Sequence, residues 1–311
     1  MPRDQASANP VDPRDWKLLI FLSVLWGGSF FFTGVAVREL PPLTIVLARV
    51  GLAALMLIPL HFFQAGPLPR SLSSWRAFTG MAALNNVIPF TLFALGQREI
   101  PSGLASVLNA TTPLFTVVVM AAFAEEKLTL RKAAGVCLGL LGVAVLKSNG
   151  AFGVADVRTL GFYLCLAGAL SYGFAGLWGR RNLAGVAPLT SATCQLICST
   201  LMVGVLAILL DKPWRLPVPS AATLWSLAGF ASLSTALAYI VFFRILTRSG
   251  ASNVMLVTLL IPVTSIVLGH FVLGEIIAAP EALGALIVAA SLLVIDGRLF
   301  LRLRMALRGA A

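Results

Sequence analysis

The side chains in this sequence that could act on another molecule are mostly neutral hydrogen-bonding groups and aromatic rings, set inside long apolar runs. Between residues 101 and 124, Ser102, Ser106, Asn109, Thr112 and Thr116 recur every three or four positions, which makes one stripe of a helix. Between 75 and 97, Asn86, Phe90, Phe93 and Gln97 share a face by the same spacing. Between 221 and 245 the matching positions are Thr235, Tyr239 and Phe242, with Leu246 just beyond. Trp26 and Phe30 in the first run, Tyr172 in the sixth, and Thr258 and Ser265 in the ninth add to the set. Hydrocarbon offers amides and hydroxyls no partners, so such faces turn inward. The chemistry available is recognition without bond breaking: aromatic walls and a few hydrogen bonds around a modest solute. Ser and Thr singly read first as bridges between packed helices. Asn86, Asn109 and Trp26 lean towards a cavity, since asparagine is costly to bury without several partners.

What is missing narrows the chemistry further. No Asp or Glu falls in the middle of an apolar run, so no embedded carboxylate relay for protons is expected, and movement of a solute down its gradient is the simplest scheme. No GxxxxGK[ST] phosphate loop is present. His61 and His270 both lie near run ends. Cys137, Cys165, Cys194 and Cys198 sit in apolar runs without a histidine to complete a metal set, and read as small buried packing residues. No cofactor, metal or catalytic residue is therefore expected, and a membrane-embedded lipid-acting enzyme, which needs a nucleophile with a base or a metal cluster at membrane depth, ranks below a transporter. Arg49 is the one charge clearly inside a run. It lies near the outer end of its run, within snorkelling reach of the interface, and reads as an anchor or as a partner for a carboxylate.

The elements that must hold these residues are apolar helices. Of 311 residues 59% are hydrophobic and only 11% charged, where a soluble domain carries about 25% charged residues. Ten apolar runs lie at about 16–37, 43–63, 75–97, 101–124, 131–147, 159–179, 188–210, 221–245, 251–273 and 281–297. Each approaches the roughly 20 residues that cross a bilayer. The expected fold is an all-α integral membrane protein. The first 15 residues are polar, with Pro2, Pro10 and Pro13, and do not resemble a signal peptide. The net charge of +11 comes from Lys and Arg at run ends and tails, where they act as topology signals and lipid anchors, so nucleic acid is not an expected partner. Most fall on one side if both termini are cytoplasmic, and Arg298, Arg302, Arg304 and Arg308 in the tail add the strongest local signal.

The two halves repeat. At an offset of 149, Pro113 meets Pro262, Phe90 meets Tyr239, Phe93 meets Phe242, Glu126 meets Glu275 and Gly135 meets Gly284. At an offset of 146, Pro42-Leu43-Thr44 meets Pro188-Leu189-Thr190, and Trp26-Gly27 meets Tyr172-Gly173. Five spans per copy would invert the second copy, a construction used by secondary transporters with the solute near the midplane. Pro113 and Pro262, which remove backbone donors, are read as paired hinges or as static kinks. Gly135, Gly139 and Gly142 form a small-residue face for close packing within the chain or, alternatively, between two copies. Glu126 and Glu275 lie between runs, where each can cap the next helix.

These residues resemble the drug/metabolite transporter superfamily, in particular its EamA-type exporters. The resemblance rests on Leu25-Trp26-Gly27-Gly28-Ser29-Phe30, Arg49, Pro101 to Ala110, Pro113, Ala124-Glu125-Glu126-Lys127-Leu128 and Gly135 to Gly142. In the second copy it rests on Ala251 to Pro262 and Leu273-Gly274-Glu275. Ala124-Glu125-Glu126 departs from the usual Gly-Glu. The resemblance implies ten transmembrane helices in two inverted five-helix repeats, 16–148 and 159–297, between a cytoplasmic N-tail, 1–15, and a basic cytoplasmic C-tail, 298–311. It implies a central cavity lined mainly by spans 1, 3, 4, 6, 8 and 9, in a multi-pass protein of the bacterial inner membrane. Export of small metabolites, amino acids first, is the implied activity, with drugs or other metabolites as the alternative. Nucleotide sugars rank lower, because their phosphates need several cations. The partners expected are a small-molecule substrate and membrane lipids; the sequence leaves the oligomeric state open, with a monomer ahead of a dimer.

Overall fold

The computed structural model describes residues 13–147, 157–249 and 256–297. Both expected tails lie wholly or largely outside these residues, including the four tail arginines. The described residues are helical with no strand among them. The helices are α1 (Pro13–Ala36), α2 (Pro42–Ala65), α3 (Leu72–Gly96), α4 (Ser102–Ala122), α5 (Leu130–Lys147), α6 (Val157–Asn182), α7 (Pro188–Leu210), α8 (221–249), α9 (Leu256–Leu273) and α10 (Ala279–Asp296). Eight, all but α5 and α9, are long and apolar enough to cross a membrane. The chain is therefore a multi-pass membrane protein. In α5, Arg131, Lys132 and Lys147 interrupt the apolar surface, and α9 is apolar but shorter. Its run was expected to begin at 251, which falls outside the described residues.

Helix starts follow local chemistry that recurs in both halves. Pro42 and Pro188 open α2 and α7 in the first turn, where a missing N–H costs no bond. The Ser71 hydroxyl accepts from the backbone N–H of Ser74 to cap α3, and its repeat mate Ser220 accepts from that of Thr223 to cap α8. The Glu281 carboxylate accepts from the backbone N–H of Ala278 and caps α10.

Packing has the same two-part symmetry. α1 packs on α8 and α9, and α6 packs on α3 and α4; α2 packs on α8, and α7 on α3. α2 packs on α7, α4 on α9 and α5 on α10. Exchanging the first five helices for the last five maps this set of neighbours onto itself. The α5–α10 contact uses the glycine face: a Cβ on Gly142 would lie 2.9 Å from the Val288 nitrogen and 3.1 Å from the Gly284 oxygen. Backbone is packed on backbone there, which small residues permit. Cys165, Cys194 and Cys198 are buried as expected, whereas Cys137 on α5 is exposed on the apolar outer surface.

The prolines do not behave as a matched pair. In α4 the helix breaks at Ala110–Thr111, just before Pro113, whereas Pro262 lies within an uninterrupted α9. The matched irregularities are π-helical turns instead, Ala83–Val87 in α3 and Ser232–Leu237 in α8, at the repeat offset. Pro89 follows the first and withholds a backbone donor. In the second, the Thr235 hydroxyl donates to the Phe230 carbonyl five residues back, at 2.9 Å.

Candidate substrate cavity

A cavity of about 410 Å³ lies between the two halves, bounded by α1, α2, α3, α4, α6, α7, α8 and α9. Small-molecule sites commonly fall within about 300–1,000 Å³. Expected wall residues Trp26, Phe30, Phe90, Phe93, Asn109, Thr112, Tyr172, Thr235, Tyr239, Phe242 and Thr258 all border it, as does Pro113. Pro262 does not; it borders a second, apolar groove between α4, α9 and α10. The rings meet in pairs across helices. Trp26 and Phe242 have centroids 5.4 Å apart, Phe30 and Phe93 meet edge to face at 5.6 Å, and Phe93 stacks on Tyr172 at 6.3 Å. Such contacts fix the rings as a rigid apolar wall.

Asn86 is the wall residue that the structure places elsewhere. It is fully buried behind the cavity, where its amide donates to the Ser199 hydroxyl at 2.9 Å and its oxygen accepts from the Tyr239 hydroxyl at 3.1 Å. Asn85 borders the cavity instead, and its amide donates to the Gln195 oxygen at 3.1 Å. The π-turn through these positions adds a residue to the turn, so 3.6-residue spacing points to the wrong asparagine. The expected stripe of α4 is also divided. Asn109, Thr112 and Thr116 border the cavity, while Ser102 and Ser106 lie buried beyond the break at Ala110–Thr111.

Ser102 belongs to a seal at one end of the bundle. The Glu275 carboxylate accepts from the Ser102 backbone N–H and hydroxyl, each at 2.8 Å, and from the Gly103 N–H at 3.2 Å. The Ser265 hydroxyl donates to the Ser102 carbonyl at 3.1 Å. Glu275 therefore caps α4 of the other half rather than the helix that follows it. Its repeat mate Glu126 caps no helix: it pairs with Lys132 at 2.6 Å and Arg180 at 3.3 Å, while Glu125 takes Arg181 at 2.6 Å. Away from the seal, the Thr112–Ala122 part of α4 packs on α6, and Thr116 faces the cavity.

Two helices enter the wall unannounced by the expected lining. α7 brings Ser191 and Gln195, and α2 brings Arg49. Arg49 does not snorkel to an interface; it is only 8% exposed, with its Nε donating to the Thr235 hydroxyl at 3.0 Å. Its guanidinium carbon lies 3.4 Å from the Phe90 ring centroid and 4.2 Å from that of Phe230. The signal for it in the sequence was a lone charge within an apolar run. Gln195 did have a periodic signal, since Ser191, Gln195 and Ser199 recur every four positions along α7, but the expected lining left that helix out.

An all-helical, multi-pass bundle around a solute-sized cavity, with no acid on that wall among the described residues, is the architecture of a membrane transport protein rather than of a soluble binding domain. The EamA profile, described as the EamA-like transporter family, matches residues 16–148 and 159–296. The chain belongs to that family, with two copies of its repeat. It is 24% identical over 274 residues to the uncharacterized transporter YoaV of Bacillus subtilis, across 87% of this chain and 92% of that one. It is 28% identical over 293 residues to the uncharacterized inner membrane transporter YedA of Escherichia coli strain K12, across 91% of both. A probable amino-acid metabolite efflux pump of Salmonella typhimurium is 26% identical over 294 residues, across 90% of this chain and 94% of that one. A solved crystal structure with 18% identity shares the fold at a TM-score of 0.64, over 89% of this chain and 94% of that one.

Proposed function

We propose that this protein is a secondary transporter that exports small metabolites, amino acids with apolar or aromatic side chains first among them, by alternating access. The observation that carries the proposal is the cavity between the two repeats, with aromatic rings on several sides and neutral amides and hydroxyls between them. Apolar side chains fit the rings, and the amides and hydroxyls offer hydrogen bonds to the polar end of such a solute. The similarity to a probable amino-acid metabolite efflux pump favours the same substrate class.

In this reading all ten helices span the membrane and the second five-helix repeat is inverted relative to the first. The symmetric pairing of helices supports it. The excess of Lys and Arg at the end shared by α1's start and the α2–α3 and α4–α5 turns favours cytoplasmic termini. The end held by Glu275 then faces outwards, and the conformation is inward-facing. Export would require that seal to break while the opposite end closes.

The test is efflux of labelled amino acids from proteoliposomes of the purified protein. Saturable efflux, competed by related amino acids and absent from empty liposomes, is the expected result. Folded protein with no flux of any amino acid would remove amino acids as the substrate class.

A further inference from the structure

The cavity contains one full charge and nothing to balance it. Arg49 is held on three sides: Thr235 takes its Nε, and the rings of Phe90 and Phe230 lie against the guanidinium. The ion pairs among the described residues involve Lys132, Arg180 and Arg181 with Glu125 and Glu126, none of them with Arg49. No Asp or Glu borders the cavity. The two terminal nitrogens of Arg49 have no protein acceptor among the described residues. An arginine kept charged, clamped flat and left without an anion is unusual in a membrane interior, where charges pair with one another or serve the transported species.

A second observation points the same way. The Thr112 and Ser234 hydroxyls are buried, border the cavity, and make no hydrogen bond within the protein, and each can donate to an acceptor. These groups await a polar partner that the protein does not supply.

We propose that Arg49 is the anion anchor of the cavity, binding the carboxylate of the solute through its terminal nitrogens. The proposal rests on the reading of this cavity as the transport site, and it specifies the class: solutes with one carboxylate and an apolar body. The carboxylate is the required group. An amine on the solute meets only neutral acceptors and ring faces, so it contributes less. The planar guanidinium fits a carboxylate with two parallel hydrogen bonds, a geometry that a lysine cannot reproduce.

The experiment is ligand binding to purified protein in nanodiscs, read by thermal stabilisation, which needs no flux. The probes are L-phenylalanine, phenylacetate, phenylacetamide and phenethylamine. Wild type is expected to bind the two carboxylates about tenfold or more tightly than the amide and the amine, the scale of a hydrogen-bonded charge pair. Arg49→Gln is expected to lose that preference, and Arg49→Lys to keep part of it. Equal binding of carboxylate and amide by wild type overturns the proposal, and that comparison stands even if Arg49→Gln does not fold. A folded Arg49→Gln that keeps the full preference overturns it too. Carboxylate-selective binding without flux in proteoliposomes would keep the anchor and remove the transport reading. Flux that ignores the carboxylate would do the reverse.

Discussion

Asn85 and Asn86 are adjacent in sequence but separate in role, and the division sets the first prediction. Asn86 joins α3 to Ser199 of α7 and Tyr239 of α8 from behind the wall. Asn86→Ala strands both partners and should cost about 1 kcal/mol of stability, the ordinary size of a buried interhelical bond, with little effect on solute affinity. Asn85→Ala should do the opposite, leaving the melting temperature nearly unchanged and weakening binding. Paired thermal-unfolding and binding measurements check both, and a reversed pattern would place the wall incorrectly. Helical spacing alone was enough to find the aromatic positions Phe90, Phe93, Tyr239 and Phe242. It could not choose between the two asparagines, because a π-turn leaves no trace in the period of the sequence. Nor could it aim Arg49, whose direction depends on Phe90 and Phe230, which are distant in the chain.

The helices were legible in the apolar runs, and their ends in the prolines and serines that start them. The contacts between helix ends were not, since Glu39, Asp211 and Glu275 each bind helices far away in sequence. Glu39 accepts from the Ser220 backbone N–H at 2.7 Å and from its hydroxyl at 2.6 Å, securing the start of α8. These bonds, the hydroxyl's first, hold the Glu39 carboxyl below its ordinary 4.5. A group with a lowered folded value stabilises fully above the unfolded value, and its contribution fades as pH falls through the folded one. Glu39→Gln should therefore melt below wild type at neutral pH, and the gap should shrink below about pH 4.5. A gap constant from pH 3 to pH 7 would show that the carboxylate is not the stabilising form. Asp211 makes a similar tie, accepting from the Thr44 backbone N–H at 2.8 Å, while His61 meets the repeat mate Thr190 at 3.1 Å near the other end of the same helix pair. The α5–α10 contact gives a steric prediction. Gly142→Leu places side-chain atoms where α10 backbone already lies, and should destabilise by about 1–3 kcal/mol. Loss of monodisperse protein on gel filtration or a lowered melting temperature checks it, and an unchanged melt would mean that the two helices are not so closely packed.

For the whole molecule, the central point is an asymmetry laid over a repeat. Two equivalent halves make equivalent neighbours, yet Glu275 closes one end on Ser102 and Gly103 while its mate Glu126 binds Lys132 and Arg180. The proposed alternating access requires a second arrangement, in which the halves exchange roles. The repeat was visible in the sequence through Pro113 and Pro262 and the two Pro-Leu-Thr triplets. Which end is sealed was not, because the sequence is common to both arrangements. The seal also gives the most direct test. An ideal Cβ on Gly103 lies 3.6 Å from the Ile266 Cα, so cysteines at 103 and 266 are close enough to bridge across α4 and α9. With the four native cysteines replaced, the double variant would be oxidised, reconstituted and assayed for efflux of its substrate. Alternating access through this cavity predicts that the cross-link stops transport and that reduction restores it. Undiminished transport by fully cross-linked protein would contradict the account.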